Sequence, residues 1–265
     1  MKKRFYFGSN LKMYKNIKET TSYLKELVDL TGDISREDMT LFIIPSFPTL
    51  ASASSCIDHS LCLLGAQNMH PAEQGQFTGE VSPLMLQEVG TDLVMIGHSE
   101  RRHVFGETDP EENAKVLSAL SHGFRALLCI GETAEEKAYG ISREVLRTQL
   151  KIGLHNVNTK DLDRIWIAYE PVWSIGEQGT PASPDYAQEM HRAIRKCLTE
   201  LFGDRAKDIP CLYGGSVNPQ NTDSLIIQPD IDGLFVGRAA WEAQKFNSLI
   251  RQAIHTSETF NSGRV

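Results

Sequence analysis

Eight short runs of β-forming residues recur along the chain, each followed by a loop or a stretch with helical spacing. The runs are Phe5–Phe7, Thr40–Ile44, Leu61–Leu64, Leu93–Ile96, Ala126–Ile130, Ile165–Ala168, Pro210–Leu212 and Gly233–Val236. The helical stretches include Thr21–Leu30, Pro110–His122, Ser142–Leu154, Pro184–Phe202, Pro219–Ile227 and Ala239–Ile254. Ala114, Leu117, Leu120 and Phe124 keep roughly the spacing of one helix face. Strands alternating with helices predict parallel βαβ units. Eight such units without a Pro/Ser-rich linker predict one closed (β/α)8 barrel over residues 1–258, followed by a frayed polar tail over 259–265. The competing arrangement is an open doubly wound sheet. It calls for a G-x-G-x-x-G turn after the first strand, and none follows Phe7.

Length and composition agree with one large domain. The chain has 265 residues, 41% hydrophobic and 23% charged, and barrels of this kind run to about 250 residues. A net charge of −7 argues against nucleic acid or an anionic membrane as partner, because both call for basic patches. It leaves a phosphorylated substrate open, since local donors hold a phosphate. Cys56, Cys62, Cys129, Cys197 and Cys211 contain no C-x-x-C pair, so neither a disulfide framework nor a zinc site is expected. A reducing cytoplasm is the expected location. The apolar run behind the basic start, 1–4, stops at Gly8, too short for a signal-peptide core. No apolar run reaches the ~18 residues of a membrane span.

In a parallel barrel the reactive surface is made by the loops leaving the strand C-termini. Asn10 and Lys12 follow the first run, and Gly97-His98-Ser99-Glu100 the fourth. Glu170-Pro171-Val172-Trp173 follows the sixth, Gly214-Gly215-Ser216 the seventh, and Gly237-Arg238 the eighth. An ammonium, an imidazole, a carboxylate and two glycine-bearing loops are therefore expected on one rim. Isomerising a hydroxy-carbonyl compound requires a base for a carbon-bound proton and electrophiles for the enediolate oxygens. Glu170 suits the first task; Lys12, Asn10 and a neutral His98 suit the second. Glycine and serine let backbone N–H groups approach a phosphate. This chemistry needs no cofactor, and no metal-ligand spacing is apparent.

The stretches Ile96-Gly97-His98-Ser99-Glu100-Arg101-Arg102, Ala168-Tyr169-Glu170-Pro171-Val172-Trp173-Ser174-Ile175-Gly176 and Tyr213-Gly214-Gly215-Ser216-Val217-Asn218 resemble the triosephosphate isomerase family. Gly65-Ala66-Gln67-Asn68 and Gly75-Gln76-Phe77-Thr78-Gly79-Glu80 resemble its third loop, and the likeness covers nearly the whole chain. The resemblance implies a single (β/α)8 TIM barrel that interconverts D-glyceraldehyde 3-phosphate and dihydroxyacetone phosphate. It implies Glu170 as base, His98 as neutral electrophile, Lys12 as electrostatic partner of the carbonyl oxygen with Asn10 beside it, and Glu100 as a supporting carboxylate. Ser99–Arg102 can open a short helix, and a helix N-terminus disfavours an imidazolium at His98. Pro171 to Ala182 resembles the family's closing lid, with Pro171, Val172 and Trp173 at its start and Gly176 and Gly179 within it. Such lids exclude water from the intermediate. Gly176, Ser216, Gly237 and Arg238 fall at phosphate-binding positions. Thr78 falls in the segment that family members insert into a neighbouring subunit, which implies a homodimer.

Three motifs depart from the family pattern. The first reads Asn10-Leu11-Lys12, without the usual tryptophan. The lid reads Gly176-Glu177-Gln178-Gly179-Thr180-Pro181-Ala182, one residue longer and lacking a lysine. The eighth loop reads Gly237-Arg238 where two glycines are usual, so Arg238 either adds a charge-assisted contact to the phosphate or points away. With Ile231–Gly237 and Pro181–Ser183, these features resemble a branch that interconverts L-erythrulose 1-phosphate and D-erythrulose 4-phosphate. A third reading is a catalytically idle barrel acting as a binding protein; the intact base, electrophile and ammonium argue against it. Trp173 and Trp241 are read as hydrophobic anchors, Cys129 as a core thiol, His191 as incidental, and Glu135–Lys137 as a solvated helix start.

Overall fold

The computed structural model describes residues 3–176 and 179–262. Eight parallel strands close on themselves in chain order. They are β1 (Phe5–Asn10), β2 (Met39–Ile44), β3 (Leu63–Ala66), β4 (Leu93–Ile96), β5 (Arg125–Ile130), β6 (Ile165–Tyr169), β7 (Cys211–Tyr213) and β8 (Gly233–Phe235). β1 pairs with both β2 and β8, which closes the barrel. The expected (β/α)8 class is the fold observed.

The helices cover the outside. They are α1 (Ile17–Leu30), α2 (Leu50–Ser54), α3 (Pro83–Glu88), α4 (Ser99–His103), α5 (Asp109–Ser121), α6 (Ala134–Ala138), α7 (Ser142–Gly153), α8 (Pro184–Phe202), α9 (Thr222–Ile226) and α10 (Ala243–Ser262). α1 starts four residues before the apolar pattern that announces it. Asn16 accepts from the Glu19 N–H while the Glu19 side chain accepts from the Asn16 N–H, a reciprocal cap that fixes the start. α8 begins at Pro184, capped by Ser183, and ends at Gly203 (φ +61). α10 runs on to Ser262, into the 259–265 stretch whose polar composition predicts fraying. Thr259 and Ser262 donate back to the His255 and Glu258 carbonyls one turn earlier.

Two apolar sets follow from the period-two alternation of the strands. One faces the helices, built from residues such as Phe7, Leu41, Ile43, Leu64, Leu128 and Ile167. The other fills the barrel: Phe42, Ile44, Leu93, Met95, Leu127, Trp166, Leu212 and Phe235. Inside, the Phe42 ring stacks on Phe235 at 5.7 Å and meets Trp166 at 5.4 Å. Room for that ring comes from Gly8, where a Cβ would lie 2.0 Å from Phe42 Cζ. A column of rings thus fills the bore, and the space for a ligand lies at the barrel's ends. No helix among the described residues is long and apolar enough to cross a membrane. The five cysteines are free.

Candidate active site

The strand C-termini open into a cavity of about 230 Å³. Asn10, Lys12, His98, Glu100, Glu170, Gly176, Ser216, Gly237 and Arg238 all line it, brought together from the ends of five strands.

Lys12 follows β1 with φ +51, a left-handed conformation costly for a residue with a side chain. Its N–H donates to Asn10 Oδ1 at 2.8 Å. Gln67, just after β3, donates through Nε2 to Asn10 Oδ1 at 3.1 Å and to the Lys12 carbonyl at 2.7 Å. Trp241 Nε1 donates to the Asn10 carbonyl at 3.0 Å. With its backbone so fixed, Lys12 sets Nζ 2.6 Å from Glu100 Oε1.

His98 caps the N-terminus of α4, and its Nδ1 accepts the Glu100 N–H at 3.2 Å. An accepting Nδ1 carries no proton, so the neutral ring bears its proton on Nε2. Nε2 lies 3.8 Å from Glu170 Oε1. The turn that aims the ring depends on Gly97, whose φ is +73 and whose Cβ would lie 2.7 Å from Glu112 Oε2.

Glu170 leaves β6 with its N–H bonded to the Ile130 carbonyl at 2.8 Å, and only 4% of the residue is exposed. Oε2 has no hydrogen-bond partner. Burial pushes the carboxyl pKa up from its ordinary value, while His98 and Lys12 pull it down. A desolvated carboxylate with one oxygen unengaged, beside an imidazole N–H and an ammonium, can take a proton from carbon while the other two groups hold a developing oxyanion.

The lid begins in a single 3-10 turn, Val172–Ser174. Trp173 lies off the cavity: its Nε1 donates to Glu132 Oε1 at 2.9 Å, and Lys137 Nζ sits 3.3 Å from its ring centroid. Lys137, expected in a solvated run, is therefore packed on the lid anchor. Glu132 is fully buried and also accepts from Tyr169 Oη at 3.1 and 3.0 Å and Tyr186 Oη at 2.8 Å. Ser174 Oγ accepts the Ser216 N–H at 3.0 Å, tying the lid to the seventh loop. Gly176 has φ +90, and Gly179 packs where a Cβ would lie 2.4 Å from the Ser174 carbonyl oxygen. The lengthened part of the lid, Glu177 and Gln178, lies outside the described residues. Arg238 is exposed at the cavity edge, and Thr78 lines a separate recess with Phe77, Arg101 and Phe105.

Sequence reasoning missed Glu132 and Tyr186 altogether, and gave Gln67 no task. It also missed Tyr14, which lines the cavity with its ring 4.5 Å from that of Trp241. Among the described residues, no group of three or more His, Cys, Asp or Glu could hold a metal ion.

A closed parallel barrel with this rim has the build of an isomerase. The profile of the triosephosphate isomerase family matches residues 5–253. An L-erythrulose-1-phosphate isomerase of Rhizobium etli is 43% identical over 247 residues, 92% of this chain and 91% of the relative. A triosephosphate isomerase of Carboxydothermus hydrogenoformans is 44% identical over 255 residues, 96% of this chain and all of the relative. An L-erythrulose-1-phosphate isomerase of Brucella abortus is 41% identical over 249 residues, covering 93% and 95%. The chain belongs to the triosephosphate isomerase family and is an isomerase.

Proposed function

We propose that the protein moves a proton between adjacent carbons of a short sugar phosphate through an enediolate, interconverting D-glyceraldehyde 3-phosphate and dihydroxyacetone phosphate. The observation that carries this reading is the separation of 3.8 Å between His98 Nε2 and Glu170 Oε1, with Lys12 on the same cavity. Glu170 takes the proton from one carbon and returns it to the next. His98 donates from Nε2 to the substrate oxygens, and Lys12 offsets the enediolate charge with Asn10 beside it. Glu100 holds the ammonium until substrate arrives. Gly176, Ser216, Gly237 and Arg238 receive the phosphate, and the Pro171–Ala182 lid covers the intermediate.

Two observations favour a four-carbon substrate as the second reading. L-erythrulose-1-phosphate isomerases stand among the relatives at 43% and 41% identity, close to the 44% of the triosephosphate isomerase, and Arg238 stands at the cavity edge where the family pattern has glycine. An added hydroxymethyl group changes pocket energetics by only about 1–3 kcal/mol, so both substrates are expected to turn over. The test compares kcat/KM for glyceraldehyde 3-phosphate and L-erythrulose 1-phosphate. A preference of about a hundredfold for the four-carbon ketose makes the second reading the main one. Turnover of neither substrate defeats both.

A homodimer belongs to the same reading. Met13, Val104 and Phe105 are 92%, 71% and 67% exposed in the single chain, and so much exposed apolar surface calls for a cover. A second copy whose Thr78 loop reaches toward Lys12 supplies it, and a monomeric mass by light scattering at micromolar concentration counts against it. The free thiols fit a cytoplasmic location.

A further inference from the structure

At the opposite end of the barrel, where the strands begin, lies a second cavity of about 210 Å³. Its floor is aromatic. Trp166, 3% exposed, meets Tyr6 edge-on with ring centroids 5.1 Å apart. Two guanidiniums reach this mouth from facing walls: Arg4 precedes β1, Arg125 opens β5, and those strands stand across the closed barrel from each other. Arg125 lies over the Trp166 ring at 6.0 Å. Burial raises the pKa of the Tyr6 hydroxyl, Arg4 and Arg125 pull it back, and Asp232 adds to the rise, so both guanidiniums and one carboxylate act at this point.

A third guanidinium, Arg36, also lines the cavity, held against the wall by the carbonyls of Thr31, Ile34 and Leu61. Arg4 and Arg125 differ from it: neither donates a hydrogen bond from its side chain to another described residue. Asp163 is the one carboxylate among the lining residues, and His59, also in the lining, is bound to a further carboxylate, Asp92, at 2.6 Å. Three guanidiniums against one lining carboxylate, with Asp92 behind His59 and Asp232 acting on Tyr6, mark a cationic mouth in a chain of net charge −7. The rim used for isomerisation explains none of these residues.

We infer that this mouth is a second binding site, for a small multivalent phosphate anion. The guanidinium fork matches pairs of phosphate oxygens, and two forks facing each other suit an anion with charge at both ends. The low-dielectric aromatic floor strengthens the attraction. At ~30 Å³ per water molecule the cavity holds the equivalent of about seven waters, enough for a pyrophosphate-sized ion.

Calorimetric titration of inorganic pyrophosphate tests the assignment. The active-site cavity also attracts phosphate, so three forms of the full chain are compared: unaltered, Lys12→Met, and the double variant Arg4→Ala/Arg125→Ala. The expected result is a pyrophosphate site that survives Lys12→Met and is weakened about tenfold or more by the double variant. The double variant keeps its sugar-phosphate kcat/KM within about twofold, which also shows that it is folded. Arg4→Ala alone, at an exposed residue, is expected to weaken the same site with no change in thermal midpoint. The inference is overturned if no pyrophosphate binds at millimolar concentration, if the only site disappears with Lys12→Met, or if binding is unchanged in both arginine variants.

Discussion

Gln67 Nε2 donates to the Lys12 carbonyl at 2.7 Å, so the loop after β3 holds the left-handed backbone of the loop after β1. Gln67 touches Lys12 through its backbone, and its effect passes through the ammonium. Gln67→Leu is expected to lower kcat/KM by about tenfold or more, since small misplacements are costly in a preorganised site. The effect should vanish in a Lys12→Met background. Additive losses in that double-mutant cycle would count against a positioning role.

Glu170→Asp draws the carboxylate back by one methylene. Turnover is expected to fall by about a hundredfold, as for an ångström-scale misplacement of a reacting group. Circular dichroism and the thermal midpoint should stay near those of the unaltered chain. Unchanged turnover would end the assignment of Glu170 as base.

The same burial gives Glu170 a pH signature. Its folded pKa is raised, so the acid limb of kcat/KM lies above the ordinary carboxylate value of 4.5. Between that ordinary value and the raised one, the folded chain keeps a proton that the unfolded chain has released. Stability therefore falls as pH rises through this window. Glu170→Gln removes the ionisation, and its denaturant midpoint is expected to exceed that of the unaltered chain at pH 8 and to match it near pH 4. A variant less stable at pH 8 contradicts the sign.

Glu132 gathers Tyr169, Trp173 and Tyr186 on one buried carboxylate. Removing it by Glu132→Ala leaves three donors without their charged acceptor and opens a void. A loss of about 3 kcal/mol or more in urea is expected, given ~1.5–3 kcal/mol per bond to a charged group. Release of the Trp173 anchor should also raise the protease sensitivity of the lid relative to the barrel.

At Gly8 the added methyl of Gly8→Ala would collide with the Phe42 ring. Overpacking of this kind costs about 1–3 kcal/mol. Shortening the ring by Phe42→Leu in the same chain should recover part of the loss, and a purely additive pair would mean the collision is not its source.

The barrel was legible because each βα unit writes two periods in turn. Where boundaries slipped, polar or small residues hid them. β1 runs to Asn10 although Gly8 and Ser9 interrupt the apolar run, because the β2 register continues through Asn10↔Ile44. The Pro219–Ile227 pattern yields only Thr222–Ile226 as helix, since Asn218 turns the chain with its own side chain, accepting from Gln220 and Asn221. Lys12, His98 and Glu170 could be placed on one rim from strand order alone. Glu132 and Gln67 could not be given their tasks, because their partners come from other strands, loops and, for Tyr186, a helix distant in sequence. Only folding decides which donors meet a carboxylate or an amide. His191, read as incidental, is fully buried against the rings of Tyr169 and Tyr213, and burial lowers its pKa to about 3.

The rings of Phe42, Trp166 and Phe235, packed against one another across the bore, form a plug between the two ends of the barrel. Aromatic carbon stands where a thread of water would otherwise run. Solvent and small molecules therefore reach the catalytic rim from its own open side and not through the barrel.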